Sequence, residues 1–176
     1  MPDYFYEENN VYKIDCTKAI WATDEIHSLY KKHGLSHILC DADFVIESKD
    51  FILLVEYKNA SIQAATQHAS TTKTYDPLQN EKIIKIAQKY YDSLHYLHMM
   101  GKTKPIRYVF VVEFPNGDPV NRRLLKTRLH SLLPFNLQRE PIASNTLIES
   151  LDVVSISEWN SMYSDFPFTQ INSASN

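Results

Sequence analysis

This sequence predicts a mixed α/β fold, a central β-sheet flanked by helices in two or three layers. Apolar runs of strand length (Phe44 to Ile46, Phe51 to Val55 and the 105–114 segment PIRYVFVVEF) alternate with helix-patterned segments bounded by proline, glycine and capping residues. The chain has 176 residues, of which 44% are apolar, which suits one domain with a sizeable core. That domain is expected over residues 1–169. The tail 170–176, QINSASN, is polar and expected to be disordered.

Residues 1–14 read as an extended lead-in with a short strand through Val11 to Ile14. Asp15 or Thr17 is placed to cap a helix carrying Ala19, Ile20, Ile26, Leu29 and Tyr30, and Gly34 stops it. A hairpin follows over 38–58. Segment 60–74 is small, polar and threonine-rich, a helix start or a loop beside the hairpin. Asp76-Pro77 signals a helix N-terminus. The helix runs to about Met100, ends at Gly101 and carries the apolar stripe Ile83, Ile84, Ala87, Tyr91, Leu94 and Leu97. The 105–114 strand leads to the turn Asn116-Gly117-Asp118-Pro119 and a second capped helix with Leu124, Leu125, Leu129 and Leu132 inward. A last strand, Leu151 to Ile156, ends at Ser157, which caps a short helix at Glu158-Trp159.

The hairpin DADFVIESKDFILLVEYKNA carries the chemistry. A strand as apolar as Ile52-Leu53-Leu54-Val55 is buried on both faces, so charges beside it need partners. With an even loop at Glu47 to Asp50, Asp43 lies opposite Leu54 and Asp41 opposite Glu56. Asp43, Glu56 and Lys58 then share one face, the two acids being diagonal neighbours roughly 6–8 Å apart at Cβ. An odd loop would turn Asp43 to the other face. Two carboxylates beside a lysine suit metal-assisted phosphodiester hydrolysis. The alternative for these residues is a set of solvated strand-edge acids with a same-face Glu56–Lys58 ion pair.

The pattern D-F-V-I, a short gap, then I-L-L-V-E-Y-K resembles the core of the PD-(D/E)xK nuclease superfamily. Ala42 stands where that family often has proline. The resemblance implies a restriction-endonuclease-like core of order α-β-β-β-α-β, spanning Thr17 to Glu113 here. It implies that Asp43 and Glu56 bind Mg²⁺ or Mn²⁺, with the Tyr57 carbonyl as a further ligand, and that Lys58 positions the attacking water. It also implies an acid on the helix before the hairpin, which Glu25 matches first and Asp24 second. Family members often bring a glutamine, lysine or histidine from the following helix to the site, which points to Gln88.

Lys82, Lys85 and Lys89 form either a phosphate track or a solvated helix face. Arg122, Arg123, Lys126 and Arg128 form either a DNA-backbone contact or the polar side of an amphipathic helix. Residues Lys85, Gln88, Lys89, Arg122 and Arg123 are therefore the candidates for binding nucleic acid. The net charge of −3 does not by itself announce such a partner. His95 and His98 have a zinc-compatible spacing without further ligands in sequence. Cys16 and Cys40 lack metal spacing, and Cys40 reads as a small buried thiol. Trp21 and Trp159 read as packing residues, Trp159 partly exposed. With 3 glycines there is no Gly-rich phosphate loop, and no Ser-His-Asp or Cys-His set can be assigned.

The opening MPDYFYEENN lacks the basic and apolar regions of a signal peptide, and no apolar run approaches membrane-spanning length. A reducing, cytoplasmic setting is expected, with no membrane partner. The leading expectation is a metal-dependent (endo)nuclease acting on DNA. The alternatives are a catalytically inactive nuclease-fold protein that binds DNA or a partner protein, and a junction resolvase or RNA-directed nuclease. Cutting both strands of a duplex often takes two active sites, which a homodimer would supply.

Overall fold

A five-stranded mixed sheet forms the middle layer of the computed structural model, which describes residues 3–61, 75–115 and 117–171. Its strands are β3 (Trp21–Thr23), β4 (Phe44–Glu47), β5 (Ile52–Asn59), β6 (Ile106–Glu113) and β7 (Ser150–Val154), adjacent in that order. The β3–β4 and β4–β5 pairs are antiparallel, and the β5–β6 and β6–β7 pairs are parallel. A smaller antiparallel sheet holds β1 (Tyr4–Tyr6), β2 (Tyr12–Asp15) and β8 (Phe168–Gln170) in the order β1-β2-β8.

Strand alternation divides the core in two. Val45, Ile52, Leu54, Tyr108, Phe110 and Val112 face one cluster. It is completed by Ile26 and Tyr30 of α1 (Ile26–Lys32), Ile83, Ile86, Tyr90 and Leu97 of α2 (Asn80–Met99), and Leu125 and Leu129 of α3 (Pro119–His130). Phe44, Ile46, Leu53, Val55, Val109 and Val111 face the other cluster, with Phe5, Ile14 and Phe168 of the small sheet and Trp159 of α4 (Ile156–Met162). Ile52 to Val55 are inaccessible on both faces, as the apolar run predicts.

Several boundaries differ from the expectation. Residues 21–23 are not helical but pair with β4, and α1 begins only at Ile26. Asp15 caps no helix; its carboxylate accepts bonds from the Thr17 N–H and hydroxyl, closing a local turn. Asp76 likewise folds into a turn, accepting from the Leu78 N–H, and α2 starts at Asn80. Ile83, Ala87 and Leu97 of the predicted α2 stripe are buried, but the stripe is centred one residue back: Ile86, Tyr90, Ser93 and Tyr96 are buried, while Ile84 and Tyr91 are 48% and 40% exposed. Leu124 and Leu132 are also exposed rather than inward.

Asp118 does cap α3, accepting from the Asn121 N–H with Pro119 in the first turn. Ser155, not Ser157, caps α4 in a reciprocal capping box with Glu158. Trp159 is fully buried and donates from Nε1 to the Phe166 carbonyl. Gln170, placed in the tail by its polarity, pairs with Tyr12, and the Ile171 N–H donates to the Val11 carbonyl. Most of the 60–74 segment and the rest of the tail lie outside the described residues. Gly34 and Gly101 follow α1 and α2 with φ of 71° and 66°, conformations that cost little only for glycine.

Candidate active site

The site forms where β4 and β5 meet α2. The β4–β5 pairing matches Phe44 with Val55 and Glu47 with Ile52. Four residues, 48–51, close the hairpin, the Ser48 N–H donating to the Phe51 carbonyl. The loop is even, as expected, but one residue further along. Extending the register by one pair puts Asp43 directly beside Glu56 rather than diagonal to it, and both side chains keep the α2 face. The Tyr57 N–H donates to Asp43 Oδ2 at 2.8 Å and fixes that carboxylate across the pair.

Helix α2 pins the approach to β4. The Cys40 N–H donates to Asp92 Oδ2 at 2.9 Å, and the Ala42 N–H to Ser93 Oγ at 2.9 Å. Lys85, Lys89, Asp92 and Ser93 recur at helical spacing, so the face that anchors the loop also presents lysines to the acids. Lys89 Nζ lies 2.7 Å from both carboxylate oxygens of Glu56 and 3.1 Å from Asp43 Oδ1. The sequence left Lys89 on a phosphate track or a solvated helix face; the fold places it between the two acids. It sits next to Tyr90 at the border of the buried stripe, which a stripe drawn through Ile84 and Tyr91 conceals.

Burial first, and the Asp43 charge second, push the Glu56 carboxyl up to about 8 against the pull of Lys89. Burial alone would lower the Lys89 ammonium, but the Glu56 and Asp43 charges and hydrogen bonds outweigh it, so its pKa ends above the ordinary lysine value. Both Glu56 oxygens accept from Lys89, so the ammonium favours the ionised acid while burial opposes it. Burial also raises the phenols of Tyr75 and Tyr108, with the Glu56 charge adding to it.

Asp43, Glu56, Lys89, Tyr57 and Lys58 line a cleft of about 540 Å³. Lys58 stands at its rim, with Nζ 3.7 Å from Glu8 Oε2 and 5.8 Å from the Tyr75 ring centre. The Tyr57 ring lies on the other face, stacked on Phe168 at 5.1 Å. Lys85 lines the cleft. Glu25 precedes α1, is exposed and is not among the lining residues, whereas Asp24 is. Gln88 is exposed on α2, outside the lining.

The α3 basic cluster lies elsewhere and is partly spoken for. Arg122 bonds Glu158 at 3.0 Å, Lys126 bonds Asp152 at 2.9 Å, and Arg128 reaches the Leu78 carbonyl and Asn80. Arg123 is exposed on the same helix, outside the cleft lining. His95 and His98 point outward on α2. His27, not singled out by the sequence, pairs with Asp41 on the cleft wall.

Two carboxylates are what Mg²⁺ commonly takes from a protein, with waters and substrate oxygens completing the shell. Asp43 and Glu56 fit that donor set and already converge on one cationic group. Among the described residues, no group of three or more His, Cys, Asp or Glu side chains is placed to hold a metal ion. Among the same residues, no helix is long and apolar enough to cross a membrane. Both cysteines are free thiols, Cys16 buried and Cys40 partly so.

No family model, curated protein or solved structure matches this chain.

Proposed function

We propose that the chain is a metal-dependent nuclease hydrolysing phosphodiester bonds, in DNA first, through the cleft built on Asp43 and Glu56. The observation that carries this is the convergence of the two carboxylates on a single cationic group in an open cleft. The strand succession is compatible with the restriction-endonuclease-like core that the motif implies: an antiparallel β3-β4-β5 meander, then α2, then β6 parallel to β5. It departs from the expected order in that α1 falls between β3 and β4.

In this reading Asp43 and Glu56 hold Mg²⁺ or Mn²⁺, with the Tyr57 backbone carbonyl as a further ligand. The cation, when bound, supplies charge neutralisation at the scissile phosphate and acidification of the attacking water. Lys58, at the rim, positions that water and stabilises charge developing on the phosphate. Lys89 pulls the Glu56 carboxyl down against its burial and holds the pair aimed at the cleft. Lys85 supplies a backbone-phosphate contact that carries no sequence information.

A second reading, a non-catalytic nuclease-like protein that binds DNA or a partner, is favoured by the same Lys89. Its ammonium already compensates the carboxylates that a cation would serve. Cleavage of linear, circular and branched DNA and of RNA, with and without Mg²⁺ or Mn²⁺, tests the proposal against Glu56→Ala. Loss of all metal-dependent cleavage in that variant is the expected result. The RNA and branched-DNA arms test the ribonuclease and junction-resolvase forms of the activity. Lys58→Ala should abolish cleavage and keep the fold. Wild-type rates in that variant, with loss in Lys89→Ala, would move the positioning role to Lys89.

A further inference from the structure

We propose that His27, oriented by Asp41, is the general acid of this cleft and protonates the oxygen that leaves phosphorus. The assignment rests on the phosphodiesterase reading above and adds a catalytic residue to it.

The geometry starts from α1. Ile26 and Tyr30 are its buried residues, which turns the adjacent His27 away from the core, and its side chain is 62% exposed on the cleft wall. Its Nδ1 lies 3.3 Å from Asp41 Oδ1. Asp41 is an unusual partner for a surface histidine, because its side chain is only 10% exposed. The backbone bonds of Cys40 and Ala42 to Asp92 and Ser93 flank it on both sides, so the carboxylate is carried on a segment tied to α2. A buried acid accepting from Nδ1–H selects the tautomer whose Nε2 is free. That nitrogen lies on the side of the ring away from Asp41.

Asp41 also belongs to the electrostatics of the acid pair. Its charge acts on Glu56, and Lys89 and Asp43 act on it. The imidazole and the two carboxylates line the same cleft. Lys89 is taken up between Asp43 and Glu56, and Lys58 is assigned to the attacking water.

Hydrolysis forms a bond from phosphorus to the water oxygen and breaks the bond from phosphorus to the sugar oxygen. The water loses a proton to solvent. The departing sugar alkoxide is strongly basic and takes the Nε2 proton of the His27 imidazolium, leaving the neutral ring with Nδ1–H on Asp41. Solvent then returns a proton to Nε2. Water is thus added across one P–O bond and the enzyme is unchanged. Asp41 is a positioning residue, acting only through His27.

The test compares two oligonucleotides cut at the same place with Mg²⁺, one natural and one with sulfur in place of the leaving oxygen. A thiolate leaves without a proton, so it needs no general acid. His27→Gln should slow natural-strand cleavage by roughly 10²–10⁴-fold and leave the sulfur substrate within about two-fold of wild type. Asp41→Asn should show a smaller loss of the same selective kind, and ¹⁵N NMR of His27 should show a changed tautomer balance. Equal loss on both substrates, or loss on neither, overturns the assignment. An unchanged His27 tautomer in Asp41→Asn overturns the positioning role. If the wild-type protein cuts neither substrate, the phosphodiesterase reading itself fails and this assignment falls with it. If the wild type cuts both and Glu56→Ala cuts neither, the reading stands and the His27→Gln comparison alone decides.

Discussion

Replacing Lys89 with methionine tests the electrostatic account of the cleft. The substitution keeps most of the stem and removes the ammonium from 2.7 Å of both Glu56 oxygens and 3.1 Å of Asp43. Removing one partner of a buried ion pair costs roughly 3–5 kcal/mol when the other charge must stay. Here Glu56 has an escape, because its carboxyl already sits at about 8 and can take a proton. At pH 6 the variant therefore loses mainly charged hydrogen bonds, about 1.5–3 kcal/mol.

The pH dependence follows from the direction of the shift. A carboxyl raised from 4.5 to about 8 contributes stability that is complete below its unfolded pKa and is lost as pH rises through the folded one. In wild type that loss is finished a little above pH 8. Without Lys89 the Glu56 pKa moves higher, so the loss continues. The deficit of the variant should widen by about 1.4 kcal/mol per pH unit above pH 8, until the new pKa is reached. Lys89 itself adds no slope here, since its pKa lies above the ordinary lysine value in the wild type. Asp43, with its side chain 35% exposed, is screened by solvent and left out of this sum. Urea unfolding of both proteins at pH 6 and pH 9 measures the two deficits. Equal deficits at both pH values, or none, would refute the coupling of Glu56 to Lys89.

Magnesium should raise the melting temperature of Lys89→Met more than that of wild type, since the cation then meets no competing ammonium, and Asp43→Asn should lose the effect; differential scanning fluorimetry over a Mg²⁺ series reads it. Glu47, held by Lys102 at 2.5 Å and Lys104 at 3.0 Å, has its carboxyl lowered by those bonds against burial. Its stabilisation is present above its unfolded pKa and lost as pH falls through the folded one. Glu47→Gln should therefore cost about 1.5–3 kcal/mol at pH 7 and much less near pH 3, by urea unfolding. Ser155→Ala removes the acceptor for the Glu158 N–H and should cost about 1 kcal/mol in the same assay. Leu125→Ala empties a fully buried position between α3 and the sheet and should cost about 2–5 kcal/mol, a loss absent if α3 did not pack there.

Elements whose cause is local were legible in sequence. The Ile52–Val55 run, the stop of α2 before Gly101 and the Asp118-Pro119 start of α3 each follow from hydrophobic pattern or backbone chemistry within a few residues. Elements whose cause is a distant partner were not. Trp21–Thr23 looks helical in isolation and becomes a strand because β4 offers it an edge. Gln170 looks like tail and is ordered because Tyr12 pairs with it.

The site divides the same way. By itself the sequence narrowed the hairpin to two parities and favoured the even one, in which Asp43 and Glu56 share a face, because strand alternation allows only two answers. The pairing register and the rotation of α2 required the tertiary structure. A one-pair shift puts Asp43 beside Glu56, and the burial of Ile86 and Tyr90 turns Lys89 onto both carboxylates. It also brought His27 to Asp41, fourteen residues away in the chain. No local pattern encodes such a contact, because it depends on where helix α1 and the loop tied to α2 come to rest against one sheet.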